Sequence, residues 1–124
     1  MKALLIVAHG SRNQESVIEI ENLTSATRPL LDQYDIVEHA FLELAKPDIS
    51  SGLQALINNG ATDIVILPYF LARGNHVKFD IPEEVNKLMQ SKNAVKITTL
   101  PHLGANPGMS AFVTKHISES LNHS

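Results

Sequence analysis

The sequence predicts an α/β protein, an open parallel sheet made from four successive strand–helix units and flanked by helices. Three observations predict it. Short apolar runs with little period-2 alternation recur along the chain, as in strands buried on both faces of a parallel sheet. Between them lie longer segments with apolar residues at three- and four-residue steps, the spacing of one helix face. The 124 residues suit one compact domain, so positions 1–124 are expected to form a single unit around one core.

Lys2 to Ala8 (KALLIVA) reads as the first strand. Gln14 to about Tyr34 carries Val17, Ile20, Leu23, Leu30, Leu31 and Tyr34 on an apolar side, with Glu15, Glu19 and Glu21 on other faces, and is expected to be a helix kinked or interrupted at Pro29. Ile36 to Leu42 (IVEHAFL) is the second strand. A second helix is entered through Pro47-Asp48, shows Ile49, Leu53, Leu56 and Ile57 to the core, and stops at Gly60. Asp63 to Phe70 (DIVILPYF) is β-branched and central in character, and the loop Leu71 to Val77 follows it. Asp80 is the expected N-cap of a third helix, with Glu83 completing a capping box, Pro82 in the first turn, and Val85, Leu88 and Met89 apolar. Val95 to Leu100 (VKITTL) is the fourth strand, and Met109 to Leu121, with Phe112, Val113, Ile117 and Leu121, is a closing helix.

Composition removes several function classes. Hydrophobic residues make up 44% of the chain and charged ones 19%, enough apolar material to fold and too little charge bias for a disordered tail. Ten Lys and Arg against thirteen Asp and Glu give a net charge of −3, so nucleic acid is not an expected partner and an anionic ligand must be held by local positive groups. The apolar run Ala3 to Ala8 is far below the roughly 20 residues needed to cross a bilayer. It is also too brief for a signal-peptide core, so a cytoplasmic protein with no membrane partner is expected. There are no cysteines, which excludes disulfides, thiolate nucleophiles and iron–sulfur ligation. Metal ligands, if any, must be His, carboxylate or water.

In open parallel sheets ligands bind outside the carboxyl ends of the strands. That rule gathers residues far apart in sequence: His9 after the first strand, Glu43 after the second, His76 in the loop after the third, and Pro101-His102 after the fourth. His9 stands at a strand-to-helix junction and is followed directly by Gly10, Ser11 and Arg12; the bland alternative is a turn histidine bonded to backbone. His76 could be a solvated loop residue and Glu43 a solvent-facing cap, but their shared edge favours function for all three. His102 is better read as a structural turn residue, His39 and His116 as packing or surface residues, and His123 as solvated. Ser11 has no G-x-S-x-G elbow around it and reads as a loop hydrogen-bonder.

The segments Leu5 to Arg12 (LIVAHGSR), Glu38 to Pro47 (EHAFLELAKP), Leu67 to Pro82 (LPYFLARGNHVKFDIP) and Leu100 to Pro107 (LPHLGANP) resemble, in order and over most of the chain, the small CbiX-type sirohydrochlorin chelatases. The resemblance implies the chelatase-like, flavodoxin-like open sheet. It also implies a class II chelatase that inserts a divalent metal into an anionic modified tetrapyrrole without ATP and without an organic cofactor. Carried over by position, His9 and His76 match the family's paired active-site histidines and Glu43 the acidic residue that assists them, as catalytic groups and metal ligands. Cobalt(II) is the metal usually assigned to the small members; iron(II) and nickel(II) are the alternatives. Longer relatives have two lobes facing a cleft, so a homodimer is implied for a chain with one.

The residues agree with that chemistry on their own terms. Two imidazoles and a carboxylate give borderline ligation from which a divalent ion can be surrendered, whereas a thiolate cage would hold it too tightly. The macrocycle loses two pyrrole protons as the metal enters, and a histidine, whose ordinary pKa is about 6.5, can accept one near neutral pH. Sirohydrochlorin carries many carboxylates, for which Arg12 and Arg73, together with Ser11 and Gly74 in the same edge loops, are the candidate substrate contacts; Lys46 and Lys78 read better as surface charges. Two rivals stand beside this reading: a phosphotransfer domain that uses His9 alone, and a protein that binds or delivers metal or tetrapyrrole without turnover.

Overall fold

A computed structural model of the chain describes residues 1–91 and 94–122, with side-chain surroundings for all of these except His76 and Val77. The strands are β1 (Lys2–Ala8), β2 (Ile36–Phe41), β3 (Asp63–Pro68) and β4 (Lys96–Thr99), and the helices α1 (Gln14–Thr27), α2 (Ile49–Asn58), α3 (Ile81–Ser91) and α4 (Met109–Asn122). The strands form one parallel sheet in the order β2-β1-β3-β4. The expected alternation is therefore present, and the most continuously apolar run, β1, lies between β2 and β3.

Register decides which side chains share a face. Leu4 and Ile6 of β1 lie with Val37 and Val65 on one face; Ala3, Leu5 and Val7 lie with Ala40, Ile64 and Ile66 on the other. The second face is covered by Ile49, Leu53 and Leu56 of α2 and by Ile81, Val85 and Leu88 of α3. Burying a side chain such as Leu53 completely contributes about 2 kcal/mol. On the first face Val17 and Ile20 of α1 line a cleft with Phe41 and Tyr69, and Leu31 and Tyr34 pack beyond it. This division follows from right-handed crossovers: β1 to β2 runs one way across the sheet, whereas β2 to β3 and β3 to β4 run the other.

Helix α1 stops at Thr27, short of the expected Tyr34, because Pro29 closes the run in a 3₁₀ turn, Arg28–Leu30. The Arg28 guanidinium then donates to the Val37 carbonyl from Nε (3.2 Å) and Nη2 (2.8 Å). Leu30, expected on the apolar side, is 78% exposed. Asp80 is not an N-cap: a π-helical turn, His76–Asp80, runs straight into α3, so the helical path begins before the capping signal. β1 spans its expected Lys2–Ala8, and β2, β3 and β4 stop a residue or two inside their expected limits, as fraying ends do. Helix α4 forms over nearly the expected span but buries none of its side chains. His123 lies outside the described residues.

Helix α2 starts and stops where the sequence says it should. Asp48 is its N-cap, accepting the Ser51 N–H at 2.8 Å, and Gly60 beyond its end adopts φ +101°, which a side chain would disfavour. Asp48→Ala is expected to cost about 1 kcal/mol at neutral pH in urea unfolding. The Ser51 N–H, with smaller help from the Ser51 hydroxyl and Lys46, holds the Asp48 carboxyl below its ordinary range. Its contribution is thus present above about pH 4 and lost as pH falls through the lowered pKa. The gap between wild type and Asp48→Ala should close in acid; a gap independent of pH would show that the carboxylate is not the stabilising species.

Candidate active site

The pairing of β1 with β2 continues past the strand ends. Leu42 N–H donates to the Ala8 carbonyl (3.0 Å) and Glu43 N–H to the His9 carbonyl (3.1 Å), so backbone hydrogen bonds hold His9 and Glu43 side by side. Between them sits Gly10, at φ +96°. A Cβ there would lie 1.8 Å from the Glu43 carbonyl oxygen and 3.2 Å from Cβ of Phe41. Only glycine allows the turn after β1 to pass this close to the end of β2.

The side chains meet above this backbone. His9 Nε2 is 3.3 Å from Glu43 Oε1, and both side chains are about half exposed, at 49% and 50%. The other ring nitrogen, Nδ1, lies 3.0 Å from the Gly10 carbonyl. With the proton on Nδ1 and donated to that carbonyl, the Nε2 lone pair faces the carboxylate, and two electron-pair donors share one gap. A cation suits that gap, either a proton, giving imidazolium beside carboxylate, or a divalent metal ion. With metal–nitrogen and metal–oxygen bonds of about 2.1 Å, a 3.3 Å separation subtends about 100° at the metal, a normal angle for adjacent ligands. Among the described residues no group of three His, Asp or Glu side chains converges to hold a metal.

Beside the pair, a cleft of about 300 Å³ is lined by His9, Ser11, Ser16, Ile20, Phe41 and Tyr69, among others. Ser11 Oγ accepts the Asn13 N–H (3.0 Å), and Asn13 Oδ1 accepts the Glu15 N–H (2.9 Å) as N-cap of α1. Ser11 thus shapes the turn and keeps its hydroxyl proton for donation. Arg12 is exposed next to it. Arg73 and Gly74 are exposed in the loop after β3, and the Gly74 carbonyl accepts the Lys78 N–H (3.1 Å), starting the helical path toward α3. His76 opens the π-helical turn on that same loop; its side chain lies outside the described residues.

The remaining histidines stand apart. His102 lines a separate groove with Leu67 and Leu100. His39 meets the Phe41 ring edge-on at 5.4 Å, and His116 stacks on Phe112 at 6.4 Å. Sequence reasoning did not single out Gly10, Phe41 or Tyr69 as parts of the site. For Gly10 a signal existed, a glycine directly after a strand-ending histidine; for Phe41 and Tyr69 none did, since apolar residues near strand ends look like core.

Comparison with known proteins settles the family. The sequence profile of the CbiX family matches residues 3–120. The chain belongs to the CbiX family. This CbiX chain is 35% identical over 120 residues to the sirohydrochlorin ferrochelatase of Priestia megaterium, covering 97% of the chain and 45% of that relative. It is 29% identical over 127 residues to the sirohydrochlorin cobaltochelatase of Sulfurisphaera tokodaii, covering 100% of the chain and 98% of that relative. Its fold matches the sirohydrochlorin chelatase SirB from Bacillus subtilis subspecies spizizenii in complex with cobalt, with a TM-score of 0.85, 28% identity, and coverage of 95% of this chain and 50% of that one. The CbiX chain therefore spans about half the length of the Priestia and Bacillus proteins and almost all of the Sulfurisphaera one. The fold expected from the sequence, a four-stranded parallel sheet of the chelatase kind, is the fold observed.

Proposed function

We propose that the chain is a sirohydrochlorin cobaltochelatase, inserting Co²⁺ into sirohydrochlorin without ATP or an organic cofactor. Membership of the CbiX family and the printed activities of its relatives support the reaction class. The observation in the molecule that carries it is the His9–Glu43 pair, 3.3 Å apart at the carboxyl edge of the sheet. Chelation exchanges two pyrrole N–H protons for one divalent ion, so the site must hold the metal, release it and take protons. An imidazole and a carboxylate sharing one cation do each of these, because the gap that gives up the metal can accept a proton. In this reading His9, His76 and Glu43 are ligands and proton acceptors, and Ser11, Arg12, Arg73 and Gly74 contact the substrate carboxylates. The chain acts on that substrate in the cytoplasm as a single domain, residues 1–124. Two copies, standing in for the two halves of relatives about twice as long, enclose the macrocycle between them.

Iron(II) and nickel(II) are the alternative metals, since His and carboxylate ligands take either. An anaerobic absorbance time course of sirohydrochlorin with each metal tests the reading. Acceleration over the uncatalysed rate, greatest for Co²⁺, is expected. Greater acceleration with Fe²⁺ would move the assignment to a ferrochelatase. Stoichiometric binding with no acceleration by any metal would overturn the enzyme reading in favour of a carrier.

A further inference from the structure

Two glycines let backbones far apart in sequence touch at the carboxyl edge of the sheet. Gly10 does so between the ends of β1 and β2, and Gly104 does so between the turn after β4 and the loop after β3. A Cβ on Gly104 would stand 1.7 Å from the Leu71 carbonyl oxygen, 2.5 Å from its carbonyl carbon and 2.9 Å from its Cα. Gly104 N–H donates to the Phe70 carbonyl at 2.9 Å. The 3₁₀ turn Leu103–Ala105 is thus seated on the first residues of the loop that carries Arg73, Gly74 and His76.

The two sides of this contact are unequally held. The turn is rooted in the sheet, because Leu100 N–H donates to the Ile66 carbonyl (2.9 Å), and it is closed by Ala105 N–H to the His102 carbonyl (3.0 Å) and Asn106 N–H to the Leu103 carbonyl (3.1 Å). The loop is packed less tightly. Leu71 is 73% exposed, and a cavity of about 140 Å³ lined by Tyr69, Phe70, Leu71 and Leu103 lies beside the contact. Side-chain packing leaves space there, so the backbone contact with Gly104 fixes where the loop starts. From that start the chain runs to Gly74, whose carbonyl accepts the Lys78 N–H (3.1 Å), and into the π-helical turn His76–Asp80.

We propose that Gly104 is a positioning residue for metal insertion: by admitting the Leu71 backbone, it sets the place of the loop that brings Arg73, Gly74 and His76 to the edge occupied by His9 and Glu43. The inference rests on the chelatase reading above and on His76 as part of its site; the anchoring of the loop does not. A methyl group at position 104 forces the two backbones to part by roughly 1.5–2 Å, since a carbon and a carbonyl oxygen in contact stand about 3.3–3.6 Å apart. The less firmly held side, the loop, moves. A misplacement of about 1 Å is enough to cost up to about a hundredfold in rate, even when the change lies away from the chemistry. The ends of β1 and β2 are held by their own hydrogen bonds and stay in place.

Hydrogen exchange of the full chain, read amide by amide in NMR spectra without metal or tetrapyrrole, tests the anchor, and the anaerobic insertion assay tests its consequence. In Gly104→Ala the Lys78 amide is expected to exchange at least tenfold faster than in wild type, while the Leu42 and Glu43 amides, bonded to the end of β1, keep their wild-type rates. Insertion is expected to slow at least tenfold. Added to Glu43→Gln, Gly104→Ala should cost that same factor; added to His76→Gln it should cost less than threefold, because the two changes act through one loop. Should Gly104→Ala fail to fold, Leu71→Gly loosens the contact from the loop side and carries the same expectations. Unchanged exchange at Lys78 would overturn the anchor. Faster exchange with wild-type insertion, or equal costs in the two backgrounds, would overturn the positioning role. A wild type that accelerates insertion of no metal would sink the chelatase reading and the positioning role with it, and the exchange comparison would still decide the anchor.

Discussion

His9→Ala is expected to slow Co²⁺ insertion into sirohydrochlorin at least a hundredfold while leaving the unfolding midpoint nearly unchanged. The two halves of that expectation have separate physical causes. His9 and Glu43 are each about half exposed, and ion pairs in that setting contribute about 0–1 kcal/mol to stability, because water screens the attraction and side-chain entropy opposes it. The fold has little to lose. The reaction has much more, since Nε2 supplies both the lone pair facing the Glu43 carboxylate and a place for a departing pyrrole proton, and a positioned acid–base group contributes about 10²–10⁴ in rate. Glu43→Gln keeps the shape but weakens one donor, and should fall between wild type and His9→Ala. Insertion rates from the anaerobic absorbance assay, alongside thermal unfolding of each variant, give the comparison. A His9→Ala protein that turns over at the wild-type rate would remove His9 from the mechanism, and one that unfolds early would make its role structural.

Gly10→Ala should damage stability and activity together, lowering stability by about 3 kcal/mol and the melting temperature by roughly 10 °C. One part of the cost is local: at φ +96° an L side chain is strained by about 1–2 kcal/mol. The rest comes from the new methyl group, which has no space. It would stand 1.8 Å from the Glu43 carbonyl oxygen, and that segment is tied by its own N–H to His9 and, one residue earlier, to Ala8. Phe41, nearly fully buried, stands 3.2 Å away on the other side. Relief therefore requires the ends of β1 and β2 to separate, which pulls His9 and Glu43 apart. Gly74→Ala is the control for stability, since a methyl group there meets nothing within 4 Å. Equal melting temperatures for Gly10→Ala and wild type would show that the turn adapts and that the close approach does not organise the site.

The elements most legible in the sequence were those whose signals are local. β1 could be read because six consecutive buried residues leave no polar alternation, and α2 because an N-capping aspartate and a positive-φ glycine bracket its apolar side. The interruption of α1 at Pro29 was legible, but Leu30, Leu31 and Tyr34 continue a helical spacing beyond it, and spacing cannot say that the chain has already turned. Asp80 carried a capping pattern that the π-helical turn overrides. The apolar side of α4 is legible in the sequence, but the chain does not bury it, since periodicity records that a surface is apolar and is silent on what covers it.

The site divides along the same line. That His9 and Glu43 would share an edge followed from strand-end position alone, given the rule that parallel sheets gather their functional residues at the carboxyl side. That they would touch did not follow, because contact requires β1 and β2 to be neighbours in register, and strand order is a property of crossovers between distant segments. Chain chemistry thus specified the element types, the kinds of ligand and the absence of any thiol route, all of which depend on residues a few positions apart. The 3.3 Å gap, the necessity of Gly10 and the separation of α4 from its own sheet belong to the tertiary structure, because each depends on how closely two backbones far apart in sequence approach.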